Sequence, residues 1–283
     1  MTAPEAFELV AADGTRLAAL RHGPRGGRPV LVAGALGVPQ GFYKGFCGWL
    51  AERGHRVASF DPRGIGASRR GPLRGLEIDL LGWARLDFAA AVRQLADEAG
   101  APITVLGHSL GAHHAAMTDA ATQARIARLV AVAAGAGPAW TRWAWRSRWR
   151  APLMLHLAGP LLTPLFGHFP GARLGMVGDL PAGVMRQWTR WCRHPQFGWG
   201  AEPGAVRPAL ESAHFEVRAL AFSDDEAMTP ANVRTLLQAL PHAPSTLRVV
   251  QPHELGLRAI GHLGAFRRSH AAVWPLLAGA IGD

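Results

Sequence analysis

The 283-residue sequence has little cysteine, no long apolar run and no leader-like start, and each absence excludes a class of protein. Its two cysteines, Cys47 and Cys192, lie far apart and match no metal-ligand spacing, so we expect neither a disulfide framework nor a zinc site. The stretch 153–169 is broken by glycine and proline, and it falls short of the ~20 apolar residues that cross a bilayer. The first dozen residues lack the basic and apolar regions of a signal peptide, so we expect the protein in the cytoplasm.

Lysine is also scarce, although the chain is strongly basic. Lysine and arginine together number 30 against 20 acidic residues, for a formal net charge of +10, and Lys44 is the only lysine. A basic surface can attract nucleic acid, anionic lipid or acidic substrates. Here the arginines are spread along the chain and form no basic tail or helix, so we expect no nucleic-acid partner.

Short apolar runs rich in β-branched residues alternate with longer amphipathic segments along most of the chain. This order is typical of an α/β protein with a mostly parallel, doubly wound sheet covered by helices on both faces. An antiparallel hairpin comes first, because segments 7–12 and 16–21 flank the turn Asp13-Gly14. Core strands are expected at 30–34, 56–61, 103–106, 129–134, 216–222 and 247–250. Helices are expected at 39–54, 81–99, 112–121, 230–240 and 266–280.

The periodic pattern breaks down between residues 138 and 208, where tryptophan, proline, glycine and arginine are frequent. We interpret 138–208 as a cap inserted into a core formed by 1–137 and 209–283. Trp143, Trp188 and Trp191 are expected to line or roof an apolar substrate cavity, although core packing would also account for them. The segment 140–150 could alternatively lie on a membrane surface, but packing in the cap is favoured.

A nucleophile motif follows the strand at 103–106. Gly107-His108-Ser109-Leu110-Gly111 matches G-x-S-x-G between an apolar strand and a helical run, the context in which this motif carries a reactive serine. The sharp turn would hold Ser109 out in a strained backbone conformation, and the glycines would avoid collisions with neighbouring backbone. The start of the helix would stabilise an oxyanion, with the Leu110 N–H as one donor.

A serine nucleophile needs a base, and in this motif's chain order an acid and then a histidine follow the serine. The candidates are His242, His253, His262 and His270. His262 is favoured because it lies in a glycine-flanked loop between the last strand and the last helix. His253 is the alternative, although no glycine flanks it.

Three consecutive carboxylates follow the strand at 216–222, and one of them is expected to orient the histidine. A carboxylate fixes the imidazole tautomer and stabilises the imidazolium, and only one of three neighbours in a turn can point inward. We expect this to be Asp225, with Asp224 as the alternative. Glu226 is expected to lie in a solvated turn before the helix at Pro230.

These motifs resemble the α/β-hydrolase superfamily, and more closely a group of bacterial hydrolases within it. The similarity covers almost the whole chain. Its marks, in chain order, are Gly37-Val38-Pro39-Gln40 with Tyr43, the Asp-Pro-Arg-Gly-Ile-Gly-Ala-Ser segment at 61–68, the Ser109 elbow, and the segments 222–226 and 260–267.

The resemblance implies an α/β-hydrolase fold with an inserted helical cap, and a triad of Ser109, His262 and one of the two aspartates. It also implies that the loop after the third strand donates a second oxyanion N–H. Ala35 is expected to supply it, and Leu36 is the alternative. Asp61 and Arg63 are expected to brace loops near the entrance.

Metal and nucleotide cofactors are not expected. His108, His113 and His114 are close in sequence, but adjacent side chains on a helix diverge by ~100°, and no H-E-x-x-H motif occurs. No G-x-G-x-x-G follows the first core strand, so a dinucleotide is not indicated.

These features predict a serine hydrolase that cleaves a carboxylic ester or thioester of a small, apolar substrate through an acyl-enzyme. Two alternatives stay open: an acyltransferase that uses the same triad, and a non-catalytic binding protein on the same fold. The sequence does not decide the oligomeric state.

Overall fold

A computed structural model describes residues 3–136, 153–175 and 177–282. Within them, ten strands form one sheet of eight strands and one of two. The strands are β1 (Glu5–Val10), β2 (Arg16–His22), β3 (Arg28–Ala33), β4 (His55–Phe60), β5 (Ile103–His108), β6 (Ile126–Val132), β7 (His168–Phe169), β8 (Leu180–Pro181), β9 (Glu216–Phe222) and β10 (Ser245–Val250).

The large sheet has the strand order β1-β2-β4-β3-β5-β6-β9-β10. Strand β2 pairs antiparallel with β1 and with β4, and every other neighbouring pair is parallel. β5, the strand before Ser109, therefore lies inside the sheet between β3 and β6. The α/β-hydrolase fold, with its mostly parallel doubly wound sheet, is confirmed.

The helices that accompany the sheet are mostly short. They are α1 (Lys44–Ala51), α2 (Leu80–Gly82), α3 (Ala89–Ala99), α4 (Leu110–Met117), α5 (Ala120–Gln123), α6 (Gly159–Phe166), α7 (Ala182–Arg193), α8 (Phe197–Ala201), α9 (Pro203–Glu211), α10 (Pro230–Gln238), α11 (Gly261–Gly264) and α12 (Trp274–Ile281). Segments of 3₁₀-helix lie at Gln40–Tyr43, Gly66–Ser68, Pro252–Leu255 and Arg268–Val273, and π-helical segments at Trp83–Phe88 and Leu153–Ala158.

Each central strand is buried on both faces and contributes to two separate cores. Along β3, Val30 and Val32 belong to one core and Leu31 and Ala33 to the other, because successive side chains of a strand point to opposite faces. The first core includes side chains of α1 and α12, and the second includes side chains of α3, α4 and α7. This division explains why the strands read as continuous apolar runs.

Helices lie where the sequence predicted them, but several of the predicted ranges contain 3₁₀ or π-helical turns or a break between two helices. The predicted helix 81–99 is a stretch in which α2 continues through the π-helical segment Trp83–Phe88 into α3. The predicted helix 266–280 becomes α-helical only at Trp274, because His270 has non-helical dihedrals of −117° and 28°. The predicted helix 112–121 divides before α5, where the Asp119 side chain caps the new helix by accepting the Thr122 N–H.

Between β6 and β9, the described residues form several short helices and the antiparallel pair β7 and β8, joined by turns and coil. Helix α9 crosses the predicted boundary at 208 and ends at Glu211. Its Ala209 carbonyl accepts a hydrogen bond from Gln123 of α5 at 2.9 Å, so the end of this region is joined directly to the helices of the sheet. Across the described ranges, no helix is long and apolar enough to cross a membrane.

Candidate active site

Ser109 stands at a strained turn between β5 and α4. Its dihedrals are 52° and −115°, a region that residues with a side chain seldom adopt. The glycines at 107 and 111 are required because a side chain at either position would collide with neighbouring backbone. A Cβ at Gly107 would lie 2.4 Å from the Ala112 nitrogen, and a Cβ at Gly111 would lie 2.1 Å from the Ala33 oxygen. The turn therefore requires glycine at both 107 and 111, as the motif predicts.

Ser109, His262 and Asp225 form a continuous hydrogen-bonded chain. The Ser109 Oγ lies 3.0 Å from His262 Nε2, and His262 Nδ1 lies 3.0 Å from Asp225 Oδ2. Because a carboxylate can only accept, Nδ1 carries the proton and Nε2 is left to accept the hydroxyl proton of Ser109. The Asp225 side chain is buried, and its Oδ1 also accepts the N–H groups of Ala227 at 2.7 Å and Met228 at 2.8 Å. This arrangement can convert a serine hydroxyl into a nucleophile.

The two neighbouring carboxylates contact the backbone of the histidine loop. Asp224 Oδ2 accepts the N–H groups of Ile260 at 2.7 Å and Gly261 at 3.2 Å. Glu226 Oε2 accepts the His262 N–H at 3.0 Å. The expectation of a solvated turn for Glu226 is therefore wrong: the side chain binds the histidine backbone, and the cap of α10 is the Thr229 hydroxyl. Sequence offered no signal for this contact, because it joins residues 36 positions apart.

The charges around His262 favour its protonated form. Burial lowers the pKa of His262, but the Asp225 carboxylate, through its charge and its hydrogen bond, and the Glu226 carboxylate together raise that pKa above its ordinary value. The imidazolium that forms when the histidine takes a proton is thus stabilised by two negative groups.

The other late histidines have different neighbours. His253 lies in the 3₁₀ segment Pro252–Leu255 and is exposed, His242 stacks on His214, and His270 hydrogen-bonds to Ser269. Of these late histidines, only His262 has a ring nitrogen within hydrogen-bonding distance of the Ser109 hydroxyl.

The structure differs from the sequence prediction for one of the two oxyanion donors. The Ala35 N–H donates to the hydroxyl of Tyr43 at 2.8 Å. The prediction that Ala35 is the second oxyanion donor is therefore corrected. The N–H groups of Leu36 and Leu110 have no acceptor within the described part of the chain, and both residues line the cavity beside Ser109. The geometry therefore favours Leu36, the alternative, together with Leu110.

Ser109 and His262 open onto a cavity of about 270 Å³. Its walls are mainly apolar and come from both the sheet region and the residues between β6 and β9. The apolar side chains include Leu36, Val38, Met154, Leu155, Val177, Trp188, Phe197 and Leu263. Glu226 and His113 also line the cavity, so polar side chains other than Ser109 and His262 are among its walls.

The three tryptophans expected at the cavity have different positions. Trp188 on α7 lines it. Trp191 does not: it is fully buried, and its ring packs against Phe197 at 5.6 Å between centroids, so its expected role in substrate binding is corrected to core packing. A three-residue step along a helix rotates the side chain by roughly 60°, which is enough to move it from the cavity to the core. Trp143 lies outside the described residues.

Two charged residues of the 61–68 segment hold loops around the site. The Asp61 carboxylate accepts the N–H of Gln40 at 2.7 Å and that of Ala67 at 2.9 Å, and burial raises its pKa. The Arg63 guanidinium hydrogen-bonds to Asp87 at 2.7 Å and also contacts Asp13. Asp61 thus braces two backbone segments, Arg63 joins two carboxylates, and both residues lie outside the hydrogen-bonded chain of Ser109.

The histidines near the elbow point in different directions. His113 Nε2 lies 3.0 Å from the Gly135 carbonyl, and the ring of His114 packs against those of Trp83 and Phe88. Burial lowers the pKa of His114 to about 3. Across the described ranges, no three His, Cys, Asp or Glu side chains are grouped as metal ligands would be.

Comparison with known proteins identifies relatives of this chain. The curated relative RutD of Variovorax paradoxus (strain S110), whose name proposes a carbamate hydrolase, is 36% identical over 118 residues. That match spans 41% of this chain and 42% of the relative's length.

Solved structures share the fold at low identity. The esterase EaEST from Exiguobacterium antarcticum has a TM-score of 0.63 at 17% identity, with 99% of this chain and 100% of that chain covered. The enol-lactonase from Burkholderia xenovorans LB400 has a TM-score of 0.61 at 19% identity, with 98% and 100% covered. The sequence model of the family described as "Serine aminopeptidase, S33" matches residues 30–187, which is more than half of the chain. The protein therefore belongs to the serine aminopeptidase S33 family of α/β-hydrolases.

Proposed function

We propose that this protein is a serine hydrolase that cleaves a carboxylic ester or thioester of a small, apolar acyl substrate. The observation that carries the proposal is the hydrogen-bonded chain from the Ser109 hydroxyl through His262 to Asp225. Family membership and the named relatives support a hydrolytic reaction. The apolar cavity of about 270 Å³ supports a small acyl group.

The reaction has two halves. Ser109 Oγ attacks the carbonyl carbon while His262 Nε2 takes the hydroxyl proton, and Asp225 stabilises the imidazolium. The N–H groups of Leu36 and Leu110 stabilise the oxyanion of the tetrahedral intermediate. The intermediate collapses, the leaving alcohol or thiol takes the proton from His262, and the acyl group stays on Ser109.

Water completes the turnover. His262 takes a proton from a water molecule, whose oxygen attacks the acyl carbon, and a second tetrahedral intermediate forms in the same oxyanion site. Its collapse breaks the bond to Ser109 Oγ, which regains the proton from His262. The products are a carboxylic acid and free enzyme.

We further propose that residues 138–208 act as a cap over this cavity. The support is that Met154, Leu155 and Trp188, which all lie between β6 and β9, line the same cavity as Ser109. A cap of this kind sets the size of the acyl group that fits.

A panel of p-nitrophenyl esters of increasing acyl length tests the proposal. We expect the wild-type protein to hydrolyse short esters better than long ones, and Ser109→Ala to reduce kcat by on the order of 10⁶. Product analysis with added alcohol or amine acceptors separates hydrolysis from acyl transfer. If folded wild-type protein turned over none of these esters, and no thioester with the same acyl groups, that result would contradict the proposal.

A further inference from the structure

A second chain of hydrogen bonds lies behind the active site. The Ala35 N–H donates to the Tyr43 hydroxyl at 2.8 Å, the hydroxyl lies 2.9 Å from His108 Nδ1, and His108 Nε2 lies 2.9 Å from the backbone carbonyl of His262. Tyr43 and His108 are both buried. The chain therefore runs through the protein interior from the loop after β3 to the loop of the catalytic histidine.

The chemistry of the groups fixes the direction of every bond in this chain. The His262 carbonyl can only accept, so His108 Nε2 carries a proton. Burial, with a smaller contribution from His262, lowers the pKa of His108 to about 3, so the ring is neutral and Nδ1 has only a lone pair. The Tyr43 hydroxyl must then donate to Nδ1, and its oxygen accepts the Ala35 N–H. Burial raises the pKa of Tyr43, so its hydroxyl keeps its proton.

The chain joins three loops that must hold a fixed geometry during the reaction. Ala35 precedes Leu36, the proposed oxyanion donor, and His108 immediately precedes Ser109. The far end of the chain is the backbone of His262, whose side chain receives the serine proton. Because Tyr43 takes the Ala35 N–H, it also determines that the N–H of Leu36 is the one left for the oxyanion.

Tight aromatic packing keeps both side chains in place. The Phe266 ring lies 5.0 Å from that of Tyr43 and 4.8 Å from that of His108, measured between centroids. A Cβ at Gly34 would lie 3.0 Å from the Tyr43 ring, so glycine there lets the loop after β3 approach the tyrosine. This packing restricts movement of the Tyr43 ring and so keeps its hydroxyl beside the Ala35 N–H and His108.

From these contacts we propose that Tyr43 and His108 are positioning residues, which hold the oxyanion loop and the His262 loop at the separation that Ser109 requires. The inference rests on the proposed function, because it assigns these residues a role in the same reaction. A displacement of about 1 Å in a reacting group can cost 10²-fold in rate.

Tyr43→Phe removes the hydroxyl alone and is the first test. With the best ester of the panel, we expect kcat to fall roughly 10- to 100-fold while KM changes less than about 3-fold, because the substrate cavity is untouched. His108→Leu should give a similar loss, and His108→Gln should recover part of it, because an amide can both donate and accept. In the double variant Tyr43→Phe/His108→Leu, the losses should not add, because both changes break one chain.

Cys47→Ala is the matched control, because Cys47 is buried in the same core as Tyr43 and takes no part in the hydrogen-bonded chain. Its thermal unfolding temperature should fall with kcat unchanged within about 2-fold. Circular dichroism checks that each variant is folded. If Cys47→Ala loses kcat as Tyr43→Phe does, the effect is one of stability and the inference is overturned.

The outcomes separate the two proposals. If wild-type protein is active and both Tyr43→Phe and His108→Leu keep kcat within 2-fold, the positioning role is overturned and the proposed function stands. If folded wild-type protein turns over no ester, the proposed function is wrong, and the positioning role, which depends on it, is wrong as well. If kcat falls with KM unchanged and His108→Gln restores part of it, the positioning role is supported.

Discussion

At the scale of single residues, three consecutive acids have three different partners. Asp225 binds the imidazole of His262, Asp224 binds the backbone N–H groups of Ile260 and Gly261, and Glu226 binds the N–H of His262. The loop that carries the base is therefore held by carboxylates along its backbone as well as at its ring. The negative charge beside the ring has a consequence for the pH at which the base works.

The first prediction concerns the pH profile. A base acts only when neutral, so kcat/KM rises as pH passes the pKa of His262, and the raised pKa places that rise above the reference value of ~6.5. Glu226→Gln removes a negative charge and keeps an oxygen for the His262 N–H. It should therefore move the midpoint to lower pH, which a profile of kcat/KM from pH 5 to 9 measures.

Glu211→Gln is the control, because Glu211 is exposed at the end of α9, and its profile should match that of the wild type. A midpoint that stays in place or rises in Glu226→Gln would contradict the electrostatic role of this residue.

Sequence predicted the residue types of the site better than their individual contacts. The position of Ser109 follows from local spacing, because glycines must flank a sharp turn after a strand. The division of tasks among the three acids depends on how one turn meets a distant loop, which spacing does not encode. The Ala35 N–H was assigned to the oxyanion because nothing in the sequence indicates that the Tyr43 hydroxyl would occupy it.

At the scale of the elements, strands were easier to predict than helices. Strand β9 has its predicted bounds, and β3 and β5 differ from theirs by two residues or fewer at each end. Glycine and proline near the ends of β3 and β5 limit where those apolar runs can begin and end. The helices contain 3₁₀ and π-helical turns that depend on tertiary contacts. In the π-helical segment, for example, the Trp83 indole N–H donates to the Arg63 carbonyl at 3.1 Å.

The second prediction uses two tryptophans of the same helix, α7. Trp188→Ala should enlarge the cavity and shift the ratio of kcat/KM toward longer acyl chains by roughly 10-fold, because Trp188 lines the space that the acyl group would fill. The p-nitrophenyl ester panel measures this ratio.

Trp191→Ala is its counterpart, because Trp191 is fully buried outside the cavity. It should lower the free energy of unfolding by about 3–5 kcal/mol and leave the chain-length preference unchanged. Equal shifts in preference for the two variants would contradict the assigned positions.

At the scale of the whole molecule, one buried arginine joins distant parts of the chain. Arg63 follows β4, and it binds Asp13 in the turn of the β1–β2 hairpin and Asp87 in the π-helical segment. Its own N–H donates to Asp87 at 2.8 Å. The Asp87 side chain is fully buried and that of Arg63 is 10% exposed, so water cannot solvate the Asp87 carboxylate if the guanidinium is removed.

The third prediction follows from this burial. Arg63→Met should lower the free energy of unfolding by about 3–5 kcal/mol, because it leaves the Asp87 carboxylate buried without its cationic partner. Arg16→Met should change it by less than about 1 kcal/mol, because the Arg16–Glu8 pair is 66% and 42% exposed. Urea unfolding of the two variants measures the difference, and equal losses would contradict the role given to Arg63.

The order of elements along the chain was enough to predict the overall architecture. Alternating strand and helix patterns, an opening hairpin and a strand-turn-helix motif leave few arrangements besides a doubly wound sheet. The cavity was harder to predict, because its walls come from segments far apart in sequence, such as Val38, Leu155 and Leu263. Which tryptophan faces that cavity depends on the rotation of α7, and the sequence pattern fits either.

The most direct measurement is the site at which a fluorophosphonate reacts with the native protein. Intact-mass and peptide-mapping spectrometry should find one adduct, on Ser109, whose formation slows as pH falls below the pKa of His262 and is lost in Ser109→Ala. A folded wild-type protein that gains no adduct, or an adduct that persists in Ser109→Ala, would contradict the assignment of Ser109 as the nucleophile.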